Sequence, residues 1–296
     1  MSKQPKGPFL ENRKGFIEEA IFRYTQESLA NQRKLDGRKY WGKPLVGYAS
    51  GNDPLFLQYK KIIGRFHFTP QEIFELTFAR SKETSNLTVI SWILPMAEDI
   101  RKSNRKETRY PSILWAHARD FGEEFNVQLR NHVVAFLQKK GFRSVAPWNS
   151  PFFRWVRSPK IGLASVWSER HAAYACGLGT FGLSGGFITK KGKSIRIGSV
   201  ITDLPIEPSP QDYPHHMANC LYFLGKSCLA CTNRCPAGAI SAKGHDKDKC
   251  YKYYFRTINP LKQPEYGVRV TGCGLCQTNV PCEFEIPRPI QKYRAT

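Results

Sequence analysis

The chain has 296 residues and a formal net charge of +21, and 41% of its residues are hydrophobic and 13% aromatic. These values predict a folded globular protein with one large or two ordinary domains. They exclude a membrane-spanning chain, because no apolar run approaches the length of a bilayer span. The first residues carry neither an apolar signal core nor twin arginines, so we expect a cytoplasmic protein.

The first half of the chain alternates helix and strand signals. Apolar residues at helical spacing predict an amphipathic helix over residues 9–31, and residues 44–50 predict a short buried strand. Thr69, Pro70 and Glu72 form a capping box that predicts the start of a helix. Residues 87–94 are apolar at successive positions, which predicts a central strand covered by helices on both faces.

A long helix and a further strand follow this central strand. Phe121, Phe125, Leu129, Val133 and Leu137 recur on one helical stripe that ends before Gly141. Residues 142–146 predict the next strand. Strand, helix and strand together predict an α/β (α+β) layer in an N-terminal domain, which we place at residues 1–204.

A glycine-rich stretch follows Ser168. Gly177, Gly179 and Gly182 have the spacing of the dinucleotide-binding fingerprint, but that motif requires a strand before it and a helix after it. Here Ser168 caps a predicted helix that ends at Gly177, and two strands follow Gly186. A nicotinamide site is therefore not expected, although so much glycine predicts unusual bends or close approach by a bulky group.

The last third of the chain contains eight of its nine cysteines. A proline-rich connector opens this second domain, which we place at residues 205–296. Cys228, Cys231 and Cys235 before Pro236 follow the spacing of iron–sulfur ferredoxins, and Cys220 substitutes for the first ligand because Gly225 occupies its usual position. We expect two [4Fe-4S] clusters and leave Cys176 without a role. One cluster is assigned to Cys220, Cys228, Cys231 and Cys282, and the other to Cys235, Cys250, Cys273 and Cys276.

Two other interpretations of these cysteines are weaker. A single tetrahedral zinc would use four thiols and leave four others idle in the same segment. Disulfides would require an oxidising compartment, for which the sequence gives no sign.

The excess of positive charge predicts partners of opposite charge. Cluster-bound thiolates reduce the net charge, but a cationic surface still attracts polyanions and acidic proteins. We expect an acidic electron donor such as a ferredoxin or a flavodoxin, and nucleic acid, including tRNA, is an alternative partner. We expect no membrane association.

The glycine-rich stretch and the two-cluster domain together resemble epoxyqueuosine reductase and the corrinoid-dependent reductive dehalogenases. The resemblance also covers Cys250-Tyr-Lys-Tyr-Tyr and Gly272-Cys-Gly-Leu-Cys-Gln. It implies a cobalamin held base-off between an α/β domain and a ferredoxin-like domain, with electrons passing through the clusters to cobalt. The residues that it implies around the corrinoid are Arg170, His171, Gly177, Gly179, Thr180, Phe181 and Gly182.

The sequence departs from the queuosine enzymes at the positions expected to deliver a proton. Leu163 stands where they carry an aspartate, and Asp120-Phe121-Gly122 replaces their Asp-Tyr-His element. Their C-terminal helical-repeat extension is also absent from this sequence. Tyr110 and His171 are the remaining candidate proton donors, and His171 could equally brace its helix. We therefore expect an oxidoreductase acting on a small substrate that the sequence does not name. The alternatives are a ferredoxin-type electron-transfer protein without its own corrin and a reductase of another corrinoid protein.

Overall fold

The structure is a computed structural model that describes residues 8–78, 86–159, 161–225 and 228–295. The strands are β1 Leu45–Ser50, β2 Thr88–Pro95, β3 Ser144–Val145, β4 Trp155–Ser158, β5 Gly162–Ser165, β6 Gly179–Phe181, β7 Phe187–Thr189, β8 Ile195–Thr202, β9 Ile240–Ser241 and β10 Gly244–His245. The α-helices are α1 Pro8–Glu11, α2 Arg13–Glu27, α3 Pro54–Ile62, α4 Pro70–Phe78, α5 Glu98–Arg105, α6 Ile113–Lys139, α7 Glu169–Ala175, α8 Leu221–Gly225, α9 Ala230–Asn233, α10 Lys247–Tyr253, α11 Asn259–Tyr266 and α12 Arg288–Ala295. A π-helical turn, Tyr254–Ile258, joins α10 to α11, and 3-10 turns cover Leu29–Asn31, Pro147–Asn149 and Leu275–Gln277.

The main sheet has the order β1-β2-β8-β3, and all of its neighbours are antiparallel. Successive side chains of β2 point to opposite faces, so Ile90 and Trp92 enter one hydrophobic core while Val89 and Ile93 enter the other. This two-sided burial explains why the strand carries apolar residues on both faces, and it confirms β2 as the central covered strand. The domain is a mixed α/β arrangement built on an antiparallel sheet.

The predicted N-terminal helix is divided. Residues 9–31 form α1, α2 and a 3-10 turn, because the Asn12 side chain accepts a hydrogen bond from the Gly15 amide at 3.1 Å and caps a new helix start. The prediction of one continuous helix was therefore wrong. The capping box of α4 is confirmed: the Thr69 amide donates to Glu72 Oε2 at 2.8 Å, and the Glu72 amide donates to Thr69 Oγ1 at 3.2 Å.

Helix α6 crosses the sheet and supplies one wall of a cavity described below. Its Asn126 accepts from Trp92 Nε1 at 3.0 Å and donates to the Ile197 carbonyl at 3.0 Å, so a buried amide joins α6 to β2 and β8. Arg119, Glu123 and Arg130 follow one another at spacings of four and seven residues and share the face that lines the cavity.

The cysteine-rich segment packs directly against this domain. Residues 203–220, all described, contain neither helix nor strand, as expected for the proline-rich connector. Beyond it, Asp120 of α6 accepts from the Arg269 amide at 2.7 Å and from Arg269 Nη2 at 2.7 Å, and His117 Nε2 lies 2.9 Å from the Tyr266 carbonyl. The domain boundary at residues 204 and 205 stays a prediction. In the described ranges, no helix is at once long enough and apolar enough to cross a bilayer.

Candidate functional site

A cavity of about 340 Å³ lies between the main sheet, α6 and the cysteine-rich segment. Its aromatic walls are formed by Trp148, Trp155, Trp167 and Phe187. Its charged side chains are Arg119, Glu123, Arg130, Glu169, Arg170, Lys193, Arg196 and Lys247. An apolar cavity with a few converging polar groups is the usual form of a ligand site in an enzyme.

Glu169 is the acidic group with the most unusual environment in the cavity. Its Oε2 accepts from Ser199 Oγ at 2.5 Å, its Oε1 accepts from Arg130 Nε at 3.2 Å, and Ser199 Oγ also accepts from Trp167 Nε1 at 3.0 Å. Burial raises the pKa of Glu169 to about 6, although Arg130 and Ser199 oppose the rise. A carboxyl group of this pKa can hold or release a proton near neutral pH.

His171 lies in the same cavity but is held in its neutral form. Its Nδ1 lies 2.8 Å from Ser168 Oγ, and its ring packs against Tyr59 and Phe181. Burial lowers the pKa of His171 to about 3, and the positive charge of Arg170 adds to the effect. His171 is therefore no source of protons at neutral pH, since its imidazole carries no extra proton there.

The glycine-rich residues face their own chain. Gly177 has a φ of +70°, and a Cβ there would lie 2.3 Å from the Pro210 carbonyl oxygen. A Cβ on Gly179 would lie 2.4 Å from the Ile188 carbonyl oxygen across the β6–β7 hairpin. Chain crossings at the connector and the hairpin thus account for the close approach that the glycines permit.

The other residues predicted around a corrinoid lie in different surroundings. Of the seven, the described lining of the cavity includes Arg170 and His171. Thr180 is buried and its Oγ1 accepts from the Asn219 amide at 2.8 Å, while Gly182 lines a second cavity beside Cys220. The Phe181 ring contacts those of His171 and Phe187, which both line the cavity.

Tyr110 and the substituted acid positions also have defined places. The ring of Tyr110 lies between Arg109 and Lys262, at 5.2 Å and 5.0 Å from their charged groups, outside the described cavity lining. Leu163 does line the cavity, so its apolar side chain occupies the position predicted for a proton donor. Asp120 points away to Arg269.

The second cavity is much smaller, and four cysteines surround it: Cys220, Cys228, Cys231 and Cys282. Burial raises the pKa of the Cys282 thiol to about 11; Lys193 opposes the rise, and the charges of Cys220, Cys231 and Cys228 add to it. The four sulfur atoms that the spacing assigned to one cluster therefore lie together. Soft thiol donors of this kind suit iron–sulfur ligation.

The remaining four cysteines form a second group nearby. Burial raises the pKa of Cys273 to about 12, with contributions from Cys276, Cys250 and Cys235. Burial likewise raises the pKa of Cys250 to about 11, with contributions from Cys276 and Cys235. Cys176 lies apart and donates from Sγ to the Val89 carbonyl at 3.4 Å. Over the described part of the chain, no three His, Cys, Asp or Glu side chains are arranged to ligate one metal ion.

Two side chains, the half-buried Arg234 and the buried Glu283, fix the cysteine loops to the first domain, and neither was singled out from the sequence. Arg234 donates to the carbonyl oxygens of Asn104, Glu107 and Leu275 at 3.1, 2.8 and 3.3 Å. Glu283, directly after Cys282, pairs with Arg101 at 3.0 Å and Arg105 at 2.8 Å. Their sequence signal is only their position beside a cysteine.

We expect Glu283→Gln to destabilise the protein, because it leaves Arg101 and Arg105 without their carboxylate. Breaking such a buried pair costs about 3 kcal/mol, measurable by urea unfolding. Burial raises the pKa of Glu283, but hydrogen bonds from Arg105, the Asn279 amide and Arg101 outweigh this and lower it overall. The stabilisation is therefore present above the ordinary carboxyl pKa and is lost as pH falls through the lowered value, so the difference between the proteins should shrink in acid.

The matched control is Glu98→Gln. It removes an exposed ion pair between Glu98 and Lys102 of helix α5, whose N–O distance of 3.0 Å equals that of the Arg101–Glu283 pair. It should change the free energy of unfolding by less than about 1 kcal/mol. Equal effects of the two substitutions would contradict the role given to Glu283.

The comparisons with known proteins find similarity in structure. An epoxyqueuosine reductase structure labelled with selenomethionine is 17% identical over 93% of this chain, with a TM-score of 0.54. An epoxyqueuosine reductase with a tRNA-Tyr epoxyqueuosine-modified stem loop is also 17% identical over 93%, with a TM-score of 0.52. A catabolic reductive dehalogenase in complex with 3-bromo-4-hydroxybenzoic acid is 12% identical over 98%, with a TM-score of 0.50.

This chain spans 66% of the length of the two epoxyqueuosine reductase chains, just under two thirds, and 39% of the dehalogenase chain. No protein-family model and no curated protein matches the sequence. At these identities the likeness concerns the fold, and it confirms the predicted resemblance at that level: this chain has the fold shared by epoxyqueuosine reductase and the reductive dehalogenases.

Proposed function

We propose that this chain is an oxidoreductase that passes single electrons through two [4Fe-4S] clusters to a corrinoid beside the large cavity, where a small substrate is reduced. The two groups of four cysteines would hold the clusters. Their donor chemistry fits, because each group offers four thiols in a segment partly enclosed by apolar side chains such as Leu183 and Val280.

The observation that carries this proposal is the position of Lys193. This side chain is 3% exposed and lines both the large cavity and the four-cysteine cavity. Burial lowers the pKa of Lys193, but the charges of Cys282, Cys276, Cys231 and Cys220 outweigh this and raise it overall. A redox centre held by these cysteines would thus lie one side chain from the cavity in which a substrate could bind.

Arg170 and His171 line the large cavity, so they would face a corrinoid placed beside it. The five other residues implied by the resemblance, Gly177, Gly179, Thr180, Phe181 and Gly182, would support the loop instead, because their contacts are with the chain itself. When bound, the corrinoid would supply a cobalt centre that reaches the strongly nucleophilic Co(I) state.

Reduction of a substrate also requires a proton, and Glu169 is the group in the cavity best suited to supply it. Its pKa of about 6 contrasts with the value of about 3 for His171. Ser199 and Arg130 would orient the Glu169 carboxyl group through their hydrogen bonds. Tyr110, the other candidate, lies outside the described cavity lining.

The partners remain proposals as well. An acidic ferredoxin or flavodoxin suits a chain with a net charge of +21, and we place the protein in the cytoplasm. A tRNA stem loop is bound by one of the similar structures, so tRNA is an alternative substrate. The small substrate of the main proposal is supported by Leu163, which stands where the queuosine enzymes carry an aspartate.

A second candidate function is electron transfer without a resident corrin, either as a ferredoxin-type carrier or as a reductase of another corrinoid protein. The inward contacts of the glycine-rich loop favour it, because they leave fewer residues to hold a corrin. Both functions keep the two clusters and differ in what the large cavity binds.

Anaerobically reconstituted protein titrated with cobalamin separates the two functions. If the chain is a corrinoid-dependent enzyme, we expect it to bind one cobalamin per chain with a base-off spectrum. Ala164→Phe, which fills the cavity, should weaken cobalamin binding at least tenfold while the iron content stays unchanged. Ala135→Phe, on the exposed face of α6, is the matched control and should bind normally. Absence of binding by the unaltered protein would leave the carrier or the corrinoid-protein reductase.

A further inference from the structure

The large cavity contains far more positive than negative charge. Its lining includes six basic side chains, Arg119, Arg130, Arg170, Lys193, Arg196 and Lys247, and two carboxylates, Glu123 and Glu169. His171 adds no charge at neutral pH, because its pKa lies at about 3. Arg130 and Lys193 are buried, Arg119, Arg196 and Lys247 are half-buried, and Arg170 is exposed, so the cavity presents an excess of positive charge that attracts anions.

Half of the cations have a partner within the protein. Arg130 pairs with Glu123 at 3.1 Å and with Glu169 at 3.2 Å, and Arg196 also pairs with Glu123. The three basic groups around Glu123 lower its pKa to about 2, against the effect of burial. Lys193 is directed toward the cysteine thiols, as described above.

The other half, Arg119, Arg170 and Lys247, form no ion pair with any carboxylate in the described ranges. Arg170 donates to the Gly185 carbonyl, and Lys247 Nζ donates to the Leu163 carbonyl at 3.2 Å. The stem of Arg119 lies against Gly272, where a Cβ would be 2.8 Å from Arg119 Cγ. These contacts hold the three side chains in place. The charge of Glu123 acts on Arg119 without forming an ion pair, and Glu123 is already paired with Arg130 and Arg196.

Like charges in the cavity also repel: Arg196 acts on Arg119 and Arg170, and Arg170 acts on Lys247. Burial and the charge of Arg196 lower the pKa of Arg119 to about 10, although Glu123 opposes the change. Desolvation and Arg196 lower the pKa of Arg170, although part of its side chain is exposed to solvent, and desolvation and Arg170 lower that of Lys247. A bound anion would relieve both the desolvation and the repulsion, since it supplies the opposite charge at short range.

We propose that this cavity binds its substrate through an anionic group, a carboxylate or a phosphate, held by Arg119, Arg170 and Lys247. The tryptophan walls, which include Trp148 and Trp155, would take the apolar body of the same molecule. This inference rests on the proposed function in placing the substrate in the cavity. The anionic group is assigned to the substrate and not to the corrinoid. The phosphodiester of the corrinoid is the other possible source of a negative charge at these cations.

Calorimetric titration of the iron-reconstituted full-length chain with benzoate and with inorganic phosphate, at constant ionic strength, tests this. We expect one saturable site for at least one of the two probes, with and without cobalamin. The double substitution Arg170→Gln and Lys247→Gln should weaken that binding roughly tenfold or more, because each charge-assisted contact contributes about this factor. Iron content, which is measured on every protein, reports folding.

The matched control is the double substitution Arg23→Gln and Lys102→Gln. It replaces two exposed cations that form ion pairs and are not among the lining residues of the cavity, and it makes the same change in net charge. It should bind both probes as the unaltered chain does. Equal binding by all three proteins, or equal loss in the control, would overturn the anion site. Loss of anion binding once cobalamin is bound would overturn the substrate assignment and give the cations to the cofactor. Failure to bind cobalamin with anion binding intact would refute the corrinoid while keeping the anion site.

Discussion

Replacing Cys220 by alanine is expected to remove about four of eight irons per chain, because one of two four-iron clusters loses a ligand. Cys220 lines the small cavity with Cys228, Cys231 and Cys282, and its charge acts on the thiol of Cys282. The sequence predicts that Cys220 replaces the usual first ligand, whose position is occupied by Gly225. Iron and acid-labile sulfide are measured on protein prepared without oxygen.

Cys176→Ala is the matched control for this loss. Cys176 is fully buried among apolar residues and its thiol bonds to the Val89 carbonyl, away from both groups of cysteines. It should retain all of its iron and labile sulfide. A Cys220→Ala protein with a full complement of both would show that another residue supplies the fourth ligand.

Replacing Gly274 by alanine is expected to destabilise the loop between Cys273 and Cys276 severely. Gly274 has a φ of +66°, and an added Cβ would lie 2.0 Å from the indole of Trp115, whose ring is itself buried. The left-handed backbone costs about 1 kcal/mol for alanine, and the overlap adds roughly 1–3 kcal/mol. We therefore expect a loss of about 3 kcal/mol in urea unfolding and reduced iron content.

Gly267→Ala separates the two contributions to that loss. Gly267 ends α11 with a φ of +63°, and a Cβ there would meet no atom within 4 Å. It should cost only the backbone contribution of about 1 kcal/mol and leave the iron content intact. Similar losses at Gly267 and Gly274 would mean that the contact with Trp115 does not constrain the cysteine loop.

Much of the fold follows from local signals in the sequence. The apolar run of β2, the apolar stripe of α6 and the capping box at Thr69 each depend on residues close in sequence, and each matches the structure. The division of the first helix was missed because a single side-chain cap at Asn12 outweighed the apolar period. The grouping of cysteines follows from spacing rules, and the structure gathers four of them around one cavity.

The residues that line the large cavity could not be predicted from local sequence signals. Arg119, Glu169 and Lys247 come from three separate elements, and only tertiary packing brings them together. The glycine-rich stretch shows another limit of the sequence, because glycine permits close approach without indicating what approaches. At Gly177 and Gly179 the approaching group is the chain's own backbone.

The anchors Arg234 and Glu283 bear on how this molecule unfolds. Each joins a cysteine loop to helix α5 or to the turn after it. These particular hydrogen bonds are lost if either the cysteine-rich segment or the N-terminal part is removed. The cysteine-rich segment is thus no independent module: melting should proceed as one cooperative transition, and an isolated fragment starting at residue 205 would lack the scaffold on which its loops are set.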